Sequence, residues 1–186
     1  MRSIGFFAVK GGVGTSTVAA MTALALAHDH NVLLIDHPHG DLATALGLVQ
    51  PPLDTYIEVT NTLGLIVTDQ LCRGWLEEQA IEYGTRHVVV DLGLNPTVTV
   101  TDSAYMVTRP CYMALRRGVG FHSFDYDGIV LVTEPGRALT ASDVERALGA
   151  EVKATIGFDP AIARLVDAGL LAGRLPAHLR NDLNQL

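Results

Sequence analysis

Lys10-Gly11-Gly12-Val13-Gly14-Thr15-Ser16-Thr17 follows directly on the apolar run Ile4 to Val9, and this junction decides the fold. A strand that ends in a glycine-rich turn and opens a helix points successive backbone N–H groups into one concavity, to which the helix N-terminus adds partial positive charge. Phosphate oxygens fit such a concavity. Gly11, Gly12 and Gly14 permit positive φ and let a ligand approach the backbone where side chains would block it. The general phosphate-loop pattern sets a lysine directly before the Ser or Thr that meets magnesium. Here Thr15 holds that place, before Ser16. The loop therefore argues for nucleotide binding and against ordinary nucleotide hydrolysis.

Outward from the loop, strands and helices alternate as in a parallel α/β sheet. Thr15 to His28 reads as a helix, and Asn31 to Asp36 as a short apolar strand of the kind covered on both faces. A helix from about Asp41 to Leu48 is stopped by Pro51-Pro52. Leu63 to Val67 is a strand, Gln70 to Tyr83 a helix, and His87 to Asp91 another buried strand. Ala104 to Thr108 and Ile129 to Thr133 add two strands, joined by a helix near Pro110 to Arg117. The last third reads as helix Ser142 to Leu148, strand Lys153 to Gly157, helix Pro160 to Leu171 and a terminal helix after Pro176. No repeat or long linker divides the chain, so residues 1–186 are expected to form a single domain.

Two acids close adjacent strands of this pattern. Asp36 ends Val32-Leu33-Leu34-Ile35 and Asp91 ends Val88-Val89-Val90. In an open α/β sheet both face the crevice at the carboxyl edge. Magnesium takes few protein ligands and keeps several waters, so Ser16 is a candidate direct ligand, with Asp36 and Asp91 holding its waters.

Composition narrows the partners. The 186 residues are 48% hydrophobic and 18% charged, with a formal net charge of −7. No apolar run reaches the roughly 18 residues of a membrane helix. Met1-Arg2-Ser3 leads straight into a strand without a secretory leader pattern, which makes a cytoplasmic address the expectation. Nonspecific DNA binding draws on Lys and Arg, and the densest basic cluster is only Arg116-Arg117 with Arg109 nearby; the acidic balance disfavours it. Cys72 and Cys111 are too few for a disulfide framework or zinc site and are expected to be reduced, buried thiols.

The loop sequence resembles the deviant P-loop of the ParA/MinD superfamily, KGGVGK followed by Ser or Thr, with Thr15 as the departure. The resemblance extends from Ile4 to about Leu171. It implies a three-layer, doubly wound, mainly parallel α/β sheet of the SIMIBI-type P-loop NTPases, with ATP and Mg2+ as cofactors. Gly11 to Thr17 would cradle the phosphates. Lys10 would reach across a nucleotide-dependent homodimer to the partner's phosphates, and Asp36 and Asp91 would match the acidic Walker A′ and Walker B positions. Family members carry Asp-x-Asp after the second strand, and Pro38 stands at the second, water-positioning acid. Asp41 either replaces that acid, should the segment before it loop out, or caps the following helix.

Gly40-Asp41-Leu42-Ala43-Thr44-Ala45-Leu46-Gly47-Leu48 resembles the GDLATLLGL stretch of the CpaE/TadZ branch, whose loops often carry Thr in place of the lysine. Proteins of that branch mark a cell pole and hydrolyse weakly. The segments around Pro135 and Asp159 match the family's base-recognition loops, and without an Asn-Lys-x-Asp motif adenine is the expected base.

Three readings follow from these residues: an ATP-controlled positioning or partitioning switch with an unidentified protein partner, a pseudo-ATPase scaffold, and an enzyme that transfers ATP's phosphate to a small substrate. No second cluster of substrate-binding polar residues favours the third. His37 and His39 flank Pro38 at a spacing that projects both from one side of an extended strand, but no third zinc ligand accompanies them.

Overall fold

A computed structural model describes residues 1–37, 41–96 and 100–176, together with Leu179 and Leu183. Pro38 and His39 lie outside the described residues, as does most of the terminal helix expected after Pro176. Among the described residues eight strands form one sheet: β1 (Arg2–Ala8), β2 (Val32–Asp36), β3 (Tyr56–Thr60), β4 (Leu63–Val67), β5 (His87–Leu94), β6 (Ser103–Thr108), β7 (Gly128–Thr133) and β8 (Val152–Gly157). Their spatial order is β3-β4-β2-β5-β1-β6-β7-β8. Every pairing is parallel except that of β3 with β4. The chain moves to one side of β1 for β2 to β5 and to the other for β6 to β8. Open α/β sheets bind ligands at such a reversal, outside the carboxyl ends of the strands.

Helices cover both faces. They are α1 (Thr15–Leu26), α2 (Leu42–Ala45), α3 (Arg73–Glu82), α4 (Tyr112–Val119), α5 (Ala141–Leu148) and α6 (Pro160–Asp167). Alternate residues of each central strand face opposite layers, as strand geometry requires. Ile4, Phe6, Val32, Leu34 and Val89 join α1, α2 and α6 in one core, while Phe7, Leu33, Ile35, Val88 and Val90 join α3 in the other. α1 is buried without interruption from Val18 to Leu26, which explains why its sequence is apolar all round rather than on one stripe. Leu179 and Leu183 are also buried against this core.

The architecture agrees with the expected doubly wound sheet and differs in four places. β3 was not anticipated: it is a half-exposed antiparallel edge strand. α2 is only four residues long, because Gly47, at φ 77, turns the chain into a Schellman-type close in which the Leu48 amide donates to the Ala43 carbonyl at 2.8 Å. β5 runs on to Leu94, and beyond it the Asn95 amide donates to the Ala8 carbonyl at 2.8 Å. Cys72, expected to be buried, is exposed at the N-terminus of α3, and Cys111 is half-buried.

Candidate functional site

β1 delivers the glycine loop to the carboxyl edge of the sheet, and α1 leaves from it. Gly12 has φ 76 and Gly14 has φ 102, conformations that L side chains rarely adopt. A Cβ added at either position would meet nothing within 4 Å. Backbone conformation demands these glycines, and the space above them is open. No backbone carbonyl among the described residues takes an amide from Gly11 to Thr17, as expected for the first turn of a helix. Val13 is the loop's anchor, buried in the α1 core. Lys10 turns aside: its Nζ donates to the Gly11 carbonyl at 3.1 Å and does not line the cleft beside the loop.

Asp36 and Asp91 are direct register partners in β2 and β5, which places their side chains on the same face of the sheet. That face is the α1 side, below the loop. Asp36 is fully buried, and its Oδ2 accepts from the Leu42 amide at 3.3 Å. It thereby fixes the start of α2. Asp41 occupies the N-cap position without capping, is exposed, and lines the cleft instead.

Asp91 is 1% exposed. Its Oδ1 accepts from the Gly93 amide at 3.0 Å. Burial pushes its pKa above the ordinary carboxylate value, and Asp41 adds to the rise, while Ser16, Gly93 and His37 draw it back. The Ser16 hydroxyl favours the ionised form without closing a hydrogen bond on Oδ2, which has no partner among the described residues. A buried carboxylate oxygen without a donor, beside a serine hydroxyl and a row of unpaired amides, is a donor set suited to a hydrated, phosphate-bound magnesium.

The cleft above these groups measures about 960 Å³ and is lined by Gly12, Ser16, Asp41, Asp91, Asn95 and Val166 among others. A second pocket of about 230 Å³ lies on the far side of the α1 N-terminus, with Val132, Ile156 and Ile162 as apolar floor and Arg109 and Asp159 at its rim. Gly14, Thr17 and Val166 line both, so the two adjoin. Of the residues expected to read a base, Asp159 lines this second pocket but spends its Oδ1 on the Ala161 amide at 2.7 Å, capping α6. Pro135 lines neither cavity.

Sequence reasoning missed Asn95 and read His37 and Arg109 for other roles. His37 lines the cleft, held by an Nδ1–H that donates to the Thr68 carbonyl at 3.1 Å. Asn95 has φ 49 and forms the rim; a polar residue shortly after an acid-ended strand was the available signal. Arg109 gave no signal as a site residue. Its Nε donates to the Val13 carbonyl at 3.2 Å and its Nη1 to Glu134 Oε1 at 2.6 Å. Glu134 Oε2 is held from the other side by Arg137, through Nε at 2.8 Å and through Nη2. Two arginines, Arg137 first, keep the Glu134 carboxyl below its ordinary pKa. The expected basic cluster is thus divided: Arg109 is tied to the loop, while Arg116 and Arg117 are exposed on the last turn of α4. Among the described residues no three His, Cys, Asp or Glu side chains gather into a metal cluster.

Sheet order, glycine loop and paired acids define a doubly wound α/β fold of the P-loop class. Within that class the chain has the fold of the ParA and MinD ATPases. It superposes on MinD from Aquifex aeolicus with a TM-score of 0.79 at 21% identity, covering 100% of this chain and 96% of that one. A ParA family ATPase from Chlorobium tepidum gives 0.78 at 19% identity over 98% and 95%. MinD from Pyrococcus horikoshii, solved with Mg-ADP, gives 0.74 at 19% over 98% and 93%. No protein-family model matches the sequence, and no curated protein does. No helix among the described residues is long and apolar enough to cross a membrane.

Proposed function

We propose that the chain is a nucleotide-dependent switch of the ParA/MinD superfamily, nearest its CpaE/TadZ-like branch, that binds Mg-ATP, pairs with a second copy when loaded, and hydrolyses slowly or not at all. The observation that carries this reading is the conjunction of unpaired loop amides with the buried pair Asp36 and Asp91 at one end of an open cleft. The amides of Gly11 to Thr17 bind phosphate oxygens, Ser16 and Asp91 hold the magnesium, and Asp36 orients its surroundings. When bound, the metal ion neutralises phosphate charge. The smaller apolar pocket takes the base, read by shape rather than by a dedicated side chain.

Catalysis is weak in this reading because the groups that stabilise a transferring phosphoryl are missing. Electrostatic donors aimed at that group commonly supply most of the rate, and Thr15 has no charge to contribute. The carboxylate that would position water is replaced by Pro38, leaving Asp41, exposed at the cleft, as the remaining candidate. Lys10, outside its own cleft, is free to reach a partner's phosphates. A second protein, recruited by the loaded dimer at a pole, nucleoid or envelope, reads the state. Relatives of this fold have been solved with Mg-ADP and as a complex of MinD with MinC, which supports both the ligand and the mode of action.

Light scattering without nucleotide, with ADP and with a non-hydrolysable ATP analogue tests this directly. The native chain is expected to double in mass only with the ATP analogue, and Lys10→Ala to remain monomeric while still binding nucleotide. Dimers indifferent to nucleotide would replace this reading with a scaffold; brisk turnover by the native chain would also refute it.

A further inference from the structure

We propose that Arg109 supplies the phosphate-facing positive charge that Thr15 cannot, reaching the nucleotide from the opposite side of the loop. The inference rests on the nucleotide-binding reading and adds a residue to it. Arg109 follows β6, the neighbour of β1 on the side away from Asp91. Its Nε on the Val13 carbonyl fastens the guanidinium to the loop itself, and it lines the smaller pocket, whose wall at Gly14 and Thr17 is shared with the phosphate cleft. Only Nε and one Nη1 hydrogen bond are engaged among the described residues, out of the five N–H donors a guanidinium carries. Planar, permanently charged donors of this kind suit phosphate oxygens.

The acidic partner does not cancel this charge. Glu134 lies between Arg109 and Arg137, so the trio carries one net positive charge, while Asp159 and Asp167 line the pocket itself. Arg137 grips Glu134 Oε2 with two N–H groups. Arg109 can therefore exchange Glu134 for a phosphate without stranding a half-buried carboxylate, a loss that would otherwise be costly. Its position near Gly14 and Thr17 directs it to the nucleoside end of the phosphate chain, whereas a lysine at position 15 would address the terminal phosphates. The arrangement favours holding a nucleotide over splitting it.

Calorimetric titration of Mg-ATP into the native protein, Arg109→Met, Arg109→Lys, Glu134→Gln and Thr15→Lys/Arg109→Met tests the proposal. Arg109→Met is expected to weaken binding about tenfold, the scale of one charge-assisted hydrogen bond, with Arg109→Lys recovering part of the loss. Glu134→Gln releases the guanidinium and is expected to tighten binding. Adding Thr15→Lys to Arg109→Met is expected to restore affinity. If Arg109 only braces the loop through its ion pair, Glu134→Gln weakens binding in parallel with Arg109→Met, and the proposal falls. It falls equally if Arg109→Met binds as the native protein does. Where Arg109→Met does not fold, the opposite signs expected for Glu134→Gln and Arg109→Lys still decide. Failure of the native protein itself to bind Mg-ATP would overturn the nucleotide reading, an outcome distinct from native binding that ignores Arg109.

Discussion

Asp36 and Asp91 stand side by side in the parallel register of β2 and β5, both withdrawn from solvent, yet they are used differently. Asp36 accepts the Leu42 amide and so sets the start of α2, whereas Asp91 accepts the Gly93 amide two residues along its own strand. In the proposed switch, Asp91 is the acid beside Ser16 that would meet the cation.

An acid whose pKa is raised by folding stabilises the fold only while protonated. That contribution is complete below its ordinary value of 3.8 and is lost as pH rises through the higher folded value. Above that folded value, and without magnesium, ionised Asp91 is a net cost to stability. Asp91→Asn is expected to raise the melting temperature of the ligand-free protein at pH 7, with the gain vanishing on acidification below the carboxylate range. The same variant loses the magnesium dependence of nucleotide binding. Thermal melts across pH 3 to 8, in conditions of about equal ionic strength, read the first effect.

Thr15→Lys restores the charge that the general loop pattern places before Ser16. Mg-ATP binding should tighten about tenfold. Turnover, followed by phosphate release, should stay near background because no carboxylate stands at position 38. A large rise in hydrolysis would show that the lysine alone was limiting.

Gly14→Ala separates fold from ligand. The new Cβ meets nothing within 4 Å, so its cost to the free protein is the backbone penalty at φ 102, about 1–2 kcal/mol. The same methyl projects toward the open cradle, and binding should fall far more than stability. Urea melts and titration on one sample distinguish the two.

Gly47→Ala tests how the cleft wall is held. A Cβ there would lie 2.1 Å from the Gly169 carbonyl oxygen, and Gly47 has φ 77. Overpacking and backbone strain together predict a loss of about 2–4 kcal/mol. Because Asp41 just before α2, Thr44 within it and Val166 of α6 line the cleft, nucleotide affinity should fall with it. Chemical denaturation with and without Mg-ATP measures both.

The glycine loop was legible in the sequence because it is local: a strand, a glycine turn and a helix within about two dozen residues. Asp36 and Asp91 were legible too, since each closes an apolar strand, and the sheet order then places them together. What escaped were pairings set by the fold alone. Arg109 meets a carbonyl 96 positions away and a carboxylate 25 away, and neither spacing has a periodic signature. β3 was hidden because Tyr56 to Thr60 is a half-exposed edge beside Pro51-Pro52 and lacks the continuous apolar run of the central strands. α2 read as longer than it is because its apolar residues continue past Ala45, while Gly47 ends it through the contact with Gly169.

The central place of β1 also fixes when the site comes into being. β1 pairs on one side with β5, Arg2 opposite His87, and on the other with β6, Ile4 opposite Ser103. Neither partner is near in sequence, and contacts of such separation form slowly because long loops must close first. During synthesis a ribosome must release the chain beyond Thr108 before the strand behind Lys10 has both its neighbours. The strand that carries the glycine loop is therefore made long before it acquires its working shape, and the growing chain has no finished cradle until the segment through Thr108 has emerged.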